Sequence, residues 1–179
     1  MKENIIGREQ EIEKLENYIS SRKSEFIAIY GRRRVGKTFL VKELFENRFA
    51  FRVTGKDNVT TKEQLTSFSF ALNDQLGIET DVTNWPEAFR LLQKALEKMT
   101  DGTKIIFFDE LPWFDTYASN FISALEHFWN DWAFYRSDIK LITCGSATTW
   151  MLNQVINSRG GLHNRITHNI LLSPFKLHE

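Results

Sequence analysis

Residues Gly31-Arg32-Arg33-Arg34-Val35-Gly36-Lys37-Thr38 fit G-x-x-x-x-G-K-[ST] in full. The motif follows an apolar run, Glu25 to Tyr30, that reads as a short buried strand. It precedes Lys37 to Glu46, where Leu40, Val41, Leu44 and Phe45 recur at helical spacing. A strand, a glycine turn and a helix in this order restrict the chain to few architectures. The glycines let the backbone turn so that successive N–H groups converge on an anion. The helix that starts near Lys37 adds its unpaired N-terminal donors and the positive end of its dipole. In that frame Lys37 reaches the outer phosphates of a nucleotide, the Thr38 hydroxyl ligates Mg²⁺, and Phe39 follows on the first helical turn. Arg32, Arg33 and Arg34 reinforce phosphate binding, face a neighbouring subunit, or are simply solvated.

The rest of the chain alternates. Helices are predicted for Arg8 to Lys23, Thr61 to Leu76, Trp85 to Met99, Phe121 to Phe134 and Thr149 to Val155. Strands are predicted for Phe49 to Val53, Lys104 to Phe108, Ile139 to Cys144 and Thr167 to Leu172. Nearly all-apolar strands between helices imply an α/β fold: a three-layer α/β/α sandwich with a central, mainly parallel sheet and right-handed crossovers. Ligands of such sheets sit beyond the carboxyl ends of the strands. No repeat, low-complexity tract or linker divides the 179 residues, which suit one domain spanning 1–179.

The run Ile105-Ile106-Phe107-Phe108 ends in Asp109-Glu110 and resembles a Walker B motif. A buried strand carries Asp109 to the sheet edge where the glycine loop lies, placing it to hold Mg²⁺ through water. Glu110 is then the residue to orient or deprotonate an attacking water, which favours hydrolysis over transfer to a bound hydroxyl. No [NT]-K-x-D guanine-reading motif follows, so ATP is preferred over GTP.

Lys plus Arg and Asp plus Glu both total 23, which removes any global electrostatic argument for nucleic acid or an anionic membrane. No window of about 18 apolar residues spans a bilayer. Met1-Lys2-Glu3-Asn4 does not open a signal peptide, and Cys144 is the single cysteine, so the cytoplasm is the expected compartment.

These elements resemble AAA+-related prokaryotic and archaeal P-loop ATPases that share the STAND and replication-initiator branches. Ile6-Gly7-Arg8-Glu9-Gln10-Glu11-Ile12 is similar to the family's N-terminal box, which implies that Ile6, Gly7 and Arg8 help hold adenine. Leu141-Ile142-Thr143-Cys144-Gly145-Ser146 resembles its sensor segment, implying that Ser146, with Thr143 as runner-up, senses the γ-phosphate or the attacking water. Arg165, followed by Ile170-Leu171-Leu172-Ser173-Pro174-Phe175, resembles its arginine and closing motif. That implies an arginine finger acting within the chain or from a neighbouring subunit, with Arg159 competing for the role. Family members normally continue into a helical lid and a C-terminal effector region. The chain stops at Glu179, so a truncated or unusually short member without that lid is expected, one in which hydrolysis by the isolated chain is weak or absent.

The resemblance implies a Mg²⁺-dependent ATPase switch exchanging ATP and ADP, with a protein partner or a second copy as its output. A DNA-associated module resembling replication initiators, reaching DNA through its missing C-terminal region, is one alternative. A non-catalytic, nucleotide-stabilised interaction domain is another. His127, His163, His168 and His178 lack metal-ligand spacing, and Cys144 reads as a small core residue. Trp113, Phe114 and the aromatic face Phe121, Phe128, Trp129 and Trp132 read as packing residues.

Overall fold

The computed structural model describes residues 5–175; Met1 to Asn4 and Lys176 to Glu179, with His178 among them, lie outside the described residues. Five parallel strands form one sheet: β1 (Glu25–Tyr30), β2 (Phe49–Thr54), β3 (Lys104–Asp109), β4 (Ile139–Gly145) and β5 (His168–Leu171), in the order β2-β3-β4-β1-β5. The helices are α1 (Glu9–Ser20), α2 (Lys37–Phe45), α3 (Thr61–Leu76), α4 (Trp85–Lys98), α5 (Phe121–Asp131) and the short α6 (Thr148–Trp150), which runs into a wide π turn over Met151–Ile156. The expected three-layer sandwich is present, and the strand pairs are parallel throughout the described sheet.

Period-two alternation in β1 and β3 divides the core. Ile27, Ile29, Ile105 and Phe107 pack with Leu15 and Ile19 of α1 and Leu40, Val41 and Phe45 of α2. Phe26, Ala28, Ile106 and Phe108 face the other way, against α3, α4 and α5. On that second face the rings of Phe68, Trp85, Phe89, Phe108, Phe114 and Phe121 interlock, with Trp85 and Phe121 centroids 4.8 Å apart at 74°. Phe108 precedes Asp109 and Phe114 follows Glu110, so the cluster immobilises both sides of the acidic pair.

Local chemistry sets the helix ends. Thr60 and Glu63 form a reciprocal capping box before α3, Asn84 accepts from the Glu87 amide before α4, and Gly77 closes α3 at φ 65°. The helix predicted over Phe121 to Phe134 stops at Asp131, because Trp132 leaves the helical region, at φ −135° and ψ −64°, and Ala133–Tyr135 forms a separate 3₁₀ turn. The segment predicted as helix over Thr149 to Val155 becomes α6 and the π turn. Edge strand β2 is blunted by Gln75, whose side-chain oxygen accepts from Arg52 N at 2.8 Å and whose amide donates to Arg52 O at 2.8 Å, as a pairing strand would. No helix of the described residues is long and apolar enough to cross a membrane.

Candidate functional site

All five strands point their carboxyl ends to one edge, and β4 lies between β1 and β3. The glycine loop leaves the end of β1, the acidic pair ends β3, and Ser146 follows β4 between them. This strand order alone brings three segments of distant sequence to one place.

The loop turns through three left-handed positions: Gly31 at φ 145°, Arg34 at 67° and Gly36 at 90°. A Cβ on Gly31 would lie 2.3 Å from the Leu172 carbonyl oxygen, so both conformation and space demand glycine there. Gly36 caps α2 and faces open space. Lys37 is 5% exposed, and its Nζ donates to the carbonyls of Gly31 at 3.0 Å and Arg32 at 2.8 Å, curling the loop around the ammonium. The Thr38 hydroxyl lies 2.9 and 3.0 Å from the two carboxylate oxygens of Asp109, joining the loop to β3. Asp109 is buried, and its carboxyl is pushed above the ordinary range by burial and by neighbouring Glu110, against the lowering effect of the Thr38 hydrogen bond. A hydroxyl and a desolvated carboxylate in contact form an oxygen-rich pair suited to a hard cation, whose charge would offset that desolvation.

Glu110 adopts the left-handed region, φ 49° and ψ 52°, which turns its side chain away from the strand direction. One carboxylate oxygen, Oε2, accepts from Ser146 Oγ at 2.8 Å and Ser146 N at 3.2 Å. Gly55, one residue past β2, donates to Asp109 O at 2.9 Å, and a Cβ there would meet Glu110 O at 2.7 Å. Nothing in the spacing of Gly55 singles it out; its place follows from β2 pairing with β3.

Beside the N-terminus of α2 lies an apolar cavity of about 200 Å³ lined by Ile5, Ile6, Arg8, Val35, Gly36, Phe39, Leu40 and Phe175. Gly7 and Arg8 both sit at φ 69°, bending the chain around it. Arg8 is buried, donates to Ser173 O at 2.5 Å and lies 4.2 Å from the Phe175 ring centroid, tying the N-terminal box to the closing segment. Ile6, Val35 and Phe39 therefore share one slot.

Other sequence candidates lie elsewhere. Thr143 is fully buried within β4, its hydroxyl on Ile27 O at 3.4 Å, so Ser146 alone of the two sensor candidates touches the acidic pair. Arg33 is 3.6 Å from Asp57 and lies over Trp113, while Arg32 and Arg34 are exposed. Arg165 is not brought to the site within this chain. It precedes β5, whose His168 pairs with Ile27, and its guanidinium lies 4.7 Å from the Phe134 ring at the amino edge of the sheet. The six residues of β1 separate it from Gly31 by about 20 Å of strand. Arg159 is exposed on a turn held to the end of α5 by Asn130, which donates to Gly161 O at 2.7 Å. Cys144 is fully buried, and burial pushes its thiol well up. His168 stacks on Tyr18 and pairs with Glu25 at 3.2 Å.

A parallel sheet with this loop after β1, an acidic end to β3 and β4 inserted between them is a P-loop nucleotide-binding fold. The profile of a family described as an ATPase domain predominantly from Archaea matches residues 5–179, and the chain belongs to that family, whose members bind nucleotide. It is 30% identical over 175 residues to the uncharacterized protein MJECL04 of Methanocaldococcus jannaschii, covering 96% of this chain and 36% of that one. The Walker-type ATPase Paby2304 of Pyrococcus abyssi shares the fold at a TM-score of 0.69 and 22% identity, over 99% of this chain and 56% of that protein. Cdc6p from Pyrobaculum aerophilum gives 0.62 at 18% identity, over 94% and 46% of the two chains. A chain of Drosophila ORC bound to DNA gives 0.58 at 15%, over 93% and 91%. The chain thus spans about a third of the M. jannaschii relative and just over half of the Pyrococcus protein.

Proposed function

We propose that residues 1–179 form a single nucleotide-binding domain that hydrolyses ATP with Mg²⁺ and uses nucleotide state as a conformational switch. The observation that carries this reading is the pairing of Glu110 with Ser146 beside the contact of Thr38 with Asp109. In this reading the loop N–H groups of residues 31–38 and the Lys37 ammonium hold the phosphates, and the slot between Ile6, Arg8, Val35 and Phe39 takes the adenine. Thr38 would ligate Mg²⁺ directly and Asp109 would hold it through water; the ion would supply positive charge that neutralises the transferred group. Glu110 orients a water whose oxygen attacks the γ-phosphorus. The bond from phosphorus to the β–γ bridging oxygen breaks, ADP leaves with the electron pair, and the water's proton passes to Glu110. Ser146 senses the attacking water through Glu110, its amide and hydroxyl holding Oε2 so that the other carboxylate oxygen meets that water. Arg165, remote from its own site, is assigned to the site of a second copy.

Calorimetric titration with ATP and Mg²⁺, repeated on Lys37→Ala and Glu110→Gln, tests this. Binding should disappear in Lys37→Ala. Glu110→Gln should bind ATP normally while turnover falls about 100-fold or more. A chain that binds ATP but whose phosphate release is indifferent to Glu110→Gln is a nucleotide-stabilised interaction domain instead.

The likeness to a protein whose structure was determined on DNA favours one further reading, a DNA-associated module in which nucleotide controls assembly, with exposed Arg32 and Arg34 as contacts. It requires DNA affinity that falls steeply with salt.

A further inference from the structure

The hydrogen-bonded pairing of β3 with β4 runs from Lys104↔Ile139 to Phe108↔Thr143. Beyond it, no ladder pairs Glu110 with Ser146, although β2 still holds Asp109 and β1 still holds Gly145. Three features of the structure link or shape residues 110–115 and 145–151. The first is the Ser146 to Glu110 pair. The second is a close approach at Gly145, where a Cβ would fall 2.5 Å from Met151 Sδ and 3.0 Å from Pro112 Cδ. The third lies one helical turn beyond Ser146: the indole Nε1 of half-buried Trp150 donates to Asp115 Oδ2 at 3.1 Å. Ser146 and Trp150 thus bind the two ends of one short segment, which begins at Glu110 and ends at Asp115.

Resting on the reading of Glu110 as the residue that orients water, we infer that Trp150 and Asp115 are positioning residues for it, a latch that sets where Ser146 meets the carboxylate. The physical case is leverage over a short span. Residues 146–150 form a bend and a three-residue helix, too short to hold their own orientation, and a π turn follows with its own irregular ladder. Glu110 is turned by a left-handed backbone that must be stabilised by its surroundings. Phe114 is locked in the aromatic core, so the exposed Asp115 leaves a rigid point from which its carboxylate reaches the indole. Releasing that bond lets residues 146–150 shift between the ladder-held Gly145 and the buried Met151 and moves the Ser146 donors off Oε2. Neither Trp150 nor Asp115 contacts Lys37, Thr38 or the apolar slot in the described structure, so nucleotide affinity lies outside their reach.

The test compares wild type with Trp150→Phe, which removes the N–H and keeps the ring, and with Asp115→Ala and Asp115→Asn. Two measurements are made on each: steady-state ATP turnover, and hydrogen exchange of the Ser146 amide, which donates to Glu110. Trp150→Phe and Asp115→Ala should each lower kcat about three- to tenfold with KM and ATP affinity unchanged, and accelerate exchange at Ser146. The double variant should be no worse than either single one. Asp115→Asn, whose amide oxygen still accepts from the indole, should recover most of both effects. Unchanged kcat and unchanged exchange in Trp150→Phe would overturn the latch, as would loss of KM and kcat together without rescue by asparagine, which marks a general structural role. Absence of turnover in wild type, or turnover indifferent to Glu110→Gln, defeats the proposed hydrolysis instead. The Ser146 exchange still decides the latch in that case.

Discussion

Gly31 and Gly36 occupy equivalent places in the motif string yet carry different physical loads. Gly31 needs glycine twice over, for φ 145° and for the Leu172 oxygen that a Cβ would strike at 2.3 Å; Gly36 needs it only for φ 90°. Thermal or urea unfolding should therefore show Gly31→Ala destabilised by about 3 kcal/mol or more and Gly36→Ala by about 1–2 kcal/mol. Comparable losses at the two positions would mean that the closing strand does not press on the loop. The buried Lys37 and Asp109 carry the complementary load, because each is desolvated and each is held by a partner within the site: loop carbonyls for the ammonium, the Thr38 hydroxyl for the carboxylate.

At the level of elements, two polar devices hold the sheet where apolar packing does not reach. Asp138 accepts from Arg136 at 2.9 and 2.8 Å and from Lys104 at 2.8 Å, joining the starts of β3 and β4. These cations, Arg136 first, hold its carboxyl well below the usual range. A carboxyl depressed in the folded state stabilises above its unfolded value near 4, and the contribution is lost as pH falls below that value towards the folded one. Asp138→Asn should cost about 1–3 kcal/mol at pH 7 and flatten the acid limb of a stability–pH curve below about pH 4. The second device is Gln75 on edge strand β2. Gln75→Ala should lower stability by about 1 kcal/mol, and light scattering during refolding should rise as Arg52 N and O become available to other chains.

For the whole molecule, the length of the sheet separates the proposed nucleotide site from Arg165. The edge proposed to bind nucleotide holds Lys37, Asp109, Glu110 and Ser146, while Arg165 sits at the other edge against Phe134. An arginine so placed would reach the proposed catalytic site only from a second copy. The expected result is that specific ATP turnover rises with chain concentration in wild type, and that Arg165→Ala keeps ATP affinity but loses this concentration dependence. A rate per chain that is flat with concentration and unaffected by Arg165→Ala would leave Arg165 as a partner of Phe134 alone.

Much of this molecule is legible in its sequence, for a definite reason. The phosphate loop is contiguous, and its glycines, lysine and threonine act through local backbone geometry; the strands announce themselves by apolar runs. The amphipathic stripe of Phe121, Phe128 and Trp129 likewise marks a packed face. The end of α5 is not legible, because Trp132 leaves the helix at backbone angles that its apolar character does not reveal. Nor can the local pattern choose between Ser146 and Thr143 or show that Arg165 lies far from its own loop. Those depend on β4 entering between β1 and β3 and on the register of β5, both non-local pairings decided by how the apolar faces of all five strands are covered at once. Sequence by itself determined the chemistry available and the local shapes that present it. Tertiary structure alone decided which of those groups meet, because contact between distant segments is set by strand order and packing rather than by spacing along the chain.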